Sequence, residues 1–281
     1  MSRAFDRRVE VLIGDERGEG LRFDERFRVT FEVTKDREPD GGDGAVQIYN
    51  VGDASRDRLI KDGQFVVINC GYADGPMEEL FSGDVTRAVF VHDRPDTYLE
   101  LELVDGARAL RDTRLALSFA AGTEVQTVLD EILESLDFPV DPSDFEVGGI
   151  YQEGVAFSGR ARDALQRVAQ KGGFIWSIQD GRVQLRTLDD PEVTSVPKIT
   201  PRTGLIASPE RLDDRESETE RNAGAGFVVR SLLNPKIRPG QGVVIESRDI
   251  DGDEFIVDTV SHKGDTRGND WTTEAEVYET P

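Results

Sequence analysis

One six-residue string recurs with a single change, Phe65 in one copy against Gly242 in the other. Gly63-Gln64-Phe65-Val66-Val67-Ile68 lies in the first quarter of the chain, and Gly240-Gln241-Gly242-Val243-Val244-Ile245 lies near its end. In each copy a Gly-Gln pair lets the backbone turn, and the β-branched run that follows favours a buried strand. An asparagine stands upstream of both, Asn50 and Asn234. Strand-like runs follow both: Phe81 to Val91 and Leu99 to Val104 after the first, Phe255 to Val260 and Trp271 to Tyr278 after the second. A repeated string inside a repeated order of strands predicts two related all-β modules with something different between them.

The first module opens with a strand over Arg7 to Ile13, followed by Phe27, Val29, Phe31 and Val33 alternating with Arg28, Thr30 and Glu32, the period of two of a half-buried strand. Asp40-Gly41-Gly42-Asp43-Gly44 reads as a solvated turn, since its ligand spacing is not that of a calcium loop. Val46 to Asn50 is a short strand, and Ser55 is placed to cap a brief helix over Arg56 to Lys61. Leu99, Leu101 and Leu103 alternate with Glu100 and Glu102 before Asp105-Gly106 ends the module. Short strands with frequent turns suggest a small barrel or sandwich.

Residues 112–190 change character. Thr123-Glu124-Val125-Gln126 predicts a capping box, and Val125, Val128, Leu129, Ile132, Leu133 and Leu136 then fall on one helical face, with Pro139 and Pro142 preventing continuation. A second helix after Ser158-Gly159 carries Ala161, Ala164, Leu165, Val168 and Ala169 on one side and ends at Gly172-Gly173. Asp180-Gly181 predicts a two-residue hairpin that pairs Ile178 with Val183 and Trp176 with Leu185. The expected fold is therefore mainly β with an α+β insert. Two related small β-barrel domains, 1–111 and 191–281, flank a central helix–helix–hairpin domain. Three prolines in 191–201 read as a linker or edge strand. Asp213 to Gly226 is expected as an exposed, mobile loop, either a binding loop that orders on assembly or a plain surface insertion. Asp249-Ile250-Asp251-Gly252-Asp253 lacks the glycine and glutamate positions of a calcium loop and reads as an Asp-Gly hairpin turn.

The chemistry-bearing residues are few. Only His92 and His262 are present, with one cysteine, Cys70, inside a strand-like run, so neither an internal disulfide nor a Cys-type zinc site can form. There is no phosphate-binding glycine loop, dinucleotide fingerprint or nucleophile elbow, and carboxylates are too abundant for any pair to be informative. No catalytic, cofactor-binding or metal-binding residues are expected. The 56 acidic residues against 34 basic ones give a net charge of −22, which repels nucleic acid backbone and anionic lipid. Two explanations stay open: a salt-adapted surface, or an acidic channel wall past which DNA slides. No run of apolar residues is long enough to cross a membrane, and Met1 to Asp6 lacks the apolar core of a signal peptide.

The order of these features resembles the baseplate hub proteins of tailed bacteriophages. Leu232-Leu233-Asn234-Pro235-Lys236-Ile237-Arg238-Pro239-Gly240, then Val243 to Ile245, then Val257 to Thr266 and Trp271 are similar to the C-terminal signature of that family, preceded by Gly204-Leu205-Ile206-Ala207-Ser208-Pro209. Phe157-Ser158-Gly159, Ala164-Leu165 and Gly173 to Trp176 resemble the hub's central domain. Ile48-Tyr49-Asn50, Gly71-Tyr72 and Phe81-Ser82-Gly83 resemble its first barrel. The charged stretch Asp213 to Gly226 departs from the pattern. The resemblance implies a non-enzymatic homotrimer in the virion tail baseplate, assembled in the host cytoplasm, whose six related barrels match a sixfold tail tube. It implies a distal tail or tail tube protein on one side and a spike or central fibre on the other, with a tape measure protein as a further partner. DNA would pass through without specific binding, and no membrane insertion is implied. Because no β-helical spike segment follows the second barrel before Pro281, a separate spike protein is expected. The alternatives are the hub of a contractile injection or type VI-like system and, from another class, a tail-associated cell-wall hydrolase.

Overall fold

The computed structural model describes residues 6–14, 20–37, 42–52, 55, 59, 65–93, 95–105, 113–136, 139–141, 144–179, 182–187, 196–212 and 226–279. The chain divides into two compact units. One joins residues 1–37, 42–104 and 191–281, and the other holds 38–41 with 105–190.

The larger unit is built from strands β1 (Arg7–Gly14), β2 (Gly20–Asp24), β3 (Val29–Lys35), β4 (Asp43–Tyr49), β5 (Phe65–Tyr72), β6 (Met77–Asp93) and β7 (Asp96–Val104). To these the C-terminal segment adds β15 (Lys198–Ile199), β16 (Glu210–Arg211), β17 (Gly226–Leu232), β18 (Gly242–Glu246), β19 (Asp251–Asp265) and β20 (Trp271–Glu279). They form one 13-stranded sheet whose main path runs β16-β17-β20-β19-β3-β4-β7-β6-β5-β1-β2, with β18 on β19 and β15 on β18. The sequence predicts two barrels. Among the described residues the hydrogen-bonded path is open, because β3 of the first segment gives its edge to β19 of the last, pairing Val33 with His262 and Phe31 with Gly264.

The internal repeat is visible in this path. The order β4-β7-β6-β5 recurs as β17-β20-β19-β18. In both copies the strand carrying the repeated string pairs with a long strand, of 17 residues in β6 and 15 in β19. Each string ends at a bulge. Register shifts after Ile68 where β5 meets β6, and after Ile245 where β18 meets β19. A second bulge follows further along each long strand, at Val85/Arg87 and at Val257/Thr259. Bulges are built-in features that bend a strand, so matched bulges relate the two copies by more than the short sequence match. Gly63 and Gln64 lie outside the described residues, while Gly240 has φ +76°, the left-handed backbone that glycine reaches without strain.

Two apolar clusters line the unit. One packs Val11, Ile48, Ile68, Phe81 and Leu101 with Leu233 and Trp271 of the last segment; the other packs Ile199, Val229, Val243, Phe255 and Val277. Several local readings change. Asp43 and Gly44 begin β4 instead of a turn, Gly44 lying between Val33 and Leu103; Asp40 and Gly41 are outside the described residues. The tip of the β18–β19 hairpin is Ser247 to Ile250, closed by the Ser247 N–H on the Ile250 carbonyl at 2.9 Å. Gly252 is instead the extra residue of the adjoining bulge, with φ +81°. Of the predicted short helix, Ser55 and Leu59 are helical and 56–58, 60 and 61 are outside the described residues, as are 191–195 and 213–225. Lys198–Ile199 of the expected linker does form an edge strand, parallel to β18.

The smaller unit holds β8 (Arg114–Phe119), β9 (Thr123–Glu124), helix α1 (Val125–Leu136), β10 (Val140–Asp141), β11 (Ile150–Tyr151), β12 (Val155–Arg160), helix α2 (Ala161–Gly172), β13 (Phe174–Gln179) and β14 (Arg182–Thr187). The buried residues of α1 are Val125, Val128, Leu129, Ile132, Leu133 and Leu136, and those of α2 are Ala161, Ala164, Leu165, Val168 and Ala169, the two faces that the spacing predicts. Gly173 caps α2 with φ +73° and donates its N–H to the Ala169 carbonyl. The hairpin register is also as predicted, Ile178 opposite Val183 and Trp176 opposite Leu185, although Asp180 and Gly181 lie outside the described residues. The capping box does not form. Thr123 Oγ1 donates to the Ala120 carbonyl at 2.8 Å, and Gln126 turns away to accept from the Val147 N–H at 2.8 Å and donate to Asp130. A nearby loop that needs a hydrogen-bond partner outcompetes the helix start for that amide.

Candidate interaction surface

The solvent face of the large sheet is continuous across both terminal segments. One row of paired residues runs Gly14, Phe65, Asp84, Val104, Asp43, Thr34, Ser261, Glu274, Arg230. The next runs Arg87, Glu102, Ala45, Glu32, Lys263, Thr272, Leu232. Every residue in both rows is exposed or half-buried. Alternation explains this, because the intervening residues point into the apolar clusters. With neighbouring Glu100 and Glu276, the face carries the carboxylates Glu32, Asp43, Asp84, Glu100, Glu102, Glu274 and Glu276 against the cations Arg87, Lys263 and Arg230. Each cation is tied to an acid: Arg87 to Glu102 at 2.5 Å, Lys263 to Glu32 at 2.8 Å, and Arg230 to Glu274. The cations are thus engaged and the net sign of the face is negative. Such exposed pairs add little stability each; their consequence is the charge pattern.

The residues that carry the hub resemblance do not form an open site. They hold the sheet together. Arg7 in β1 donates through Nη1 to the carbonyls of Asp265 and Gly268 at 2.9 and 2.7 Å, and through Nη2 to that of Asn269 at 3.1 Å. Its guanidinium carbon lies 5.5 Å from the centre of the Trp271 ring. Thr266 donates its N–H to the Val29 carbonyl and accepts from the Val29 N–H on Oγ1 at 2.9 Å. Arg28 pairs with Asp265 at 2.9 Å. Burial works to raise the Asp265 pKa, but Arg28 and the backbone N–H groups of Arg267 and Gly268 outweigh it and leave the carboxyl below its usual range. Nothing in the sequence marks Arg7 and Arg28 as partners of a turn more than 230 residues away; a buried acid and a carbonyl cluster become legible only once β19 lies beside β3.

The two histidines are not brought together into a site. His92 is exposed near the end of β6, paired with Thr97, its ring 5.2 Å from Phe90. His262 is 1% exposed and its Nδ1 lies 2.8 Å from Thr273 Oγ1. Thr273 Oγ1 also accepts from the Asn234 N–H at 2.9 Å, so one hydroxyl is hydrogen-bonded to both the Asn234 backbone and the His262 ring. Burial, followed by the charges of Lys35 and Arg238, lowers the His262 pKa to about 3, so the ring is neutral at physiological pH. This histidine links Asn234 of the signature to the sheet and is shielded from any substrate. Cys70 is fully buried, and burial pushes its thiol well above the usual range, which makes it an inert core residue. Among the described residues no group of three or more His, Cys, Asp or Glu is arranged to hold a metal ion. No helix there is long and apolar enough to cross a membrane.

No protein-family model matches the chain, and no curated protein matches it. Solved structures do. The 43 kDa tail protein of prophage MuSo2 from Shewanella oneidensis superimposes with a TM-score of 0.65 at 12% identity, over 97% of this chain and 98% of that one. A tail protein from Neisseria meningitidis MC58 gives 0.66 at 12% identity, over 96% of each. The E. coli c3393 protein gives 0.58 at 12% identity, over 90% of this chain and 74% of that one; it is a component of the type VI secretion system with structural similarity to the T4 bacteriophage tail proteins gp27 and gp5. Across nearly its whole length, the chain has the fold of these tail proteins and of the type VI secretion component.

Proposed function

We propose that the chain is the structural hub of a phage-tail baseplate or of a type VI-like relative, a trimeric ring that adapts a sixfold tail tube to a threefold spike or fibre. The observation that carries this is the doubled strand order within one chain. Each copy has its own pair of bulges, and two apolar clusters back them, one mainly on the first copy with Leu233 and Trp271 joined to it and one on the second. Three such chains present six related modules, the simplest way for a threefold assembly to meet a sixfold one. The match to tail proteins over nearly full length supports the same reading. The 1–111 and 191–281 segments are the two related modules, and 112–190 is the insert. The acid-rich sheet face lines the channel, where its carboxylates keep passing DNA from sticking. The partners are a tube or distal tail protein, a spike or central fibre protein and a tape measure protein. The protein carries no catalysis of its own and works in the virion tail, after assembly in the host cytoplasm.

The likeness to the c3393 protein favours, as a second reading, the hub of a contractile injection or type VI-like machine with the same trimeric architecture. Electron microscopy of the purified chain, alone and with its tube protein, tests both. Rings with pseudo-sixfold symmetry and an open centre are expected; globular monomers in both samples would overturn the hub.

A further inference from the structure

The solvent face of the large sheet carries an aromatic ladder in the rows next to those described above. In β6, β7 and β4, Phe90, Leu99 and Ile48 turn toward the buried cluster. Alternation therefore turns Val89, Val91, Tyr98 and Tyr49 the other way, and they stand half-buried on the solvent side. The register sets Val91 opposite Tyr98 and Tyr98 opposite Tyr49. The two tyrosine ring centres lie 5.1 Å apart. The Arg28 guanidinium, paired with Asp265, lies 4.5 Å from the Tyr49 ring centre. Gln47 fixes the ladder from the adjoining row. Its Oε1 accepts from the Tyr49 and Thr30 hydroxyls at 3.1 and 3.2 Å, and its Nε2 donates to Glu100 at 2.9 Å. These side chains are already ordered, so little rotamer freedom remains to be lost when a partner packs on them. Tyrosine and arginine are also the side chains on which binding energy concentrates.

The charges beside the ladder say what kind of partner fits. Asp93 lies directly opposite Asp96 at the end of the β6–β7 pair, on the same face as Tyr98, and like charges so placed destabilise a sheet. Among the described residues neither aspartate makes an ion pair, whereas Glu32 and Glu274 on the same face are tied to cations. Glu100 and Glu102 share one cation, Arg87, at 3.8 and 2.5 Å. Burial, then the charges of Glu100 and Asp93, raise the Tyr98 pKa, so both carboxylates act at its hydroxyl.

We propose that this ladder docks a cationic segment of a partner protein. An arginine or lysine of the segment lies against Tyr98 and meets Asp93, Asp96 and Glu100, and its apolar neighbours cover Val89 and Val91. The bound cation removes the repulsion between the opposed aspartates. The net charge of −22 draws such a segment in from a distance and repels a polyanion. The proposal goes beyond the hub reading and needs neither the trimer nor the channel.

The test uses the full-length chain and a fluorescein-labelled oligo-arginine peptide, with binding read by fluorescence anisotropy at low and at physiological salt. Asp93→Asn with Asp96→Asn is expected to weaken binding about tenfold. Tyr98→Ser is expected to weaken it about fivefold, while Tyr98→Phe, which keeps the ring, binds as the wild type does. Asp43→Asn with Glu276→Gln removes the same charge from a distant part of the same face and is expected to change binding less than about twofold, because salt screens charges at that range. Equal losses from the two neutralised pairs would mean diffuse attraction to an acidic protein and would overturn the site. A wild type that ignores the peptide, a Tyr98→Ser protein that binds it unchanged, or a wild type that prefers a DNA duplex would overturn it as well. The double aspartate variant only removes a like-charge contact, so it keeps the test decisive if Tyr98→Ser fails to fold. None of these readouts depends on the mass of the assembly, so a failure here leaves the hub reading standing.

Discussion

Gly264 is the point at which the joint between the two terminal segments is most sensitive. It lies in β19 directly opposite Phe31 of β3, in ordinary strand backbone, so an alanine there is not strained by φ and ψ. The cost is steric. A Cβ would sit 2.2 Å from Phe31 Cζ and 2.4 Å from Cε1. The ring cannot swing away freely, because it packs edge-on against Trp271 with centroids 5.6 Å apart. Overpacking of this kind costs about 1–3 kcal/mol, and the alanine recovers about 0.4–1 kcal/mol by stiffening the unfolded chain. Gly264→Ala is therefore expected to destabilise by about 1–2 kcal/mol. Phe31→Leu alone loses ring contacts, but combined with Gly264→Ala it also relieves the clash. The two changes should therefore couple by about 1 kcal/mol or more in a double-mutant cycle. Urea unfolding of the full chain followed by circular dichroism measures both. A Gly264→Ala protein within 0.5 kcal/mol of wild type (about the noise of additivity) would refute the claim that this ring closes over this glycine.

Three further outcomes follow from the same structure. His262 has a folded pKa of about 3 against an ordinary 6.5, so between these values the unfolded chain binds the proton and the folded chain does not. The stabilising contribution is complete above 6.5 and is lost as pH falls, by about 2–3 kcal/mol down to roughly pH 4.5; His262→Asn should flatten that acid limb in melts at pH 7 and 4.5. Arg7→Ala gives up the fork onto the Asp265, Gly268 and Asn269 carbonyls and should cost about 2 kcal/mol, with Arg7→Lys restoring little because an ammonium cannot span three acceptors. Gly173→Ala forces a side chain onto φ +73° at the end of α2 and should cost about 1 kcal/mol, read by hydrogen exchange confined to residues around α2.

Much of this was legible in the sequence because it is written in local periodicity. The two helix faces, the Trp176–Leu185 register and the paired Gly-Gln strings each depend on residues within a turn or two of one another. What was not legible depends on distant segments. The β3–β19 joint is one case: a period of two specifies a strand and its buried face but not which strand lies beside it. Gln126 reads as a helix cap until Val147 offers a better partner. Gly252 reads as a turn until the bulge after Ile245 displaces the tip to Ser247 to Ile250. For the candidate surface, the sequence carried the net charge of −22 but not its placement, which follows from nine strands sharing one face.

The measurement that bears most directly on a structural hub is the mass of the assembly in solution, by light scattering across a salt series. The subunit is 31.2 kDa, and the account predicts a particle of three times that mass. A stable dimer would contradict it, because a twofold assembly cannot present six equivalent modules to a sixfold tube.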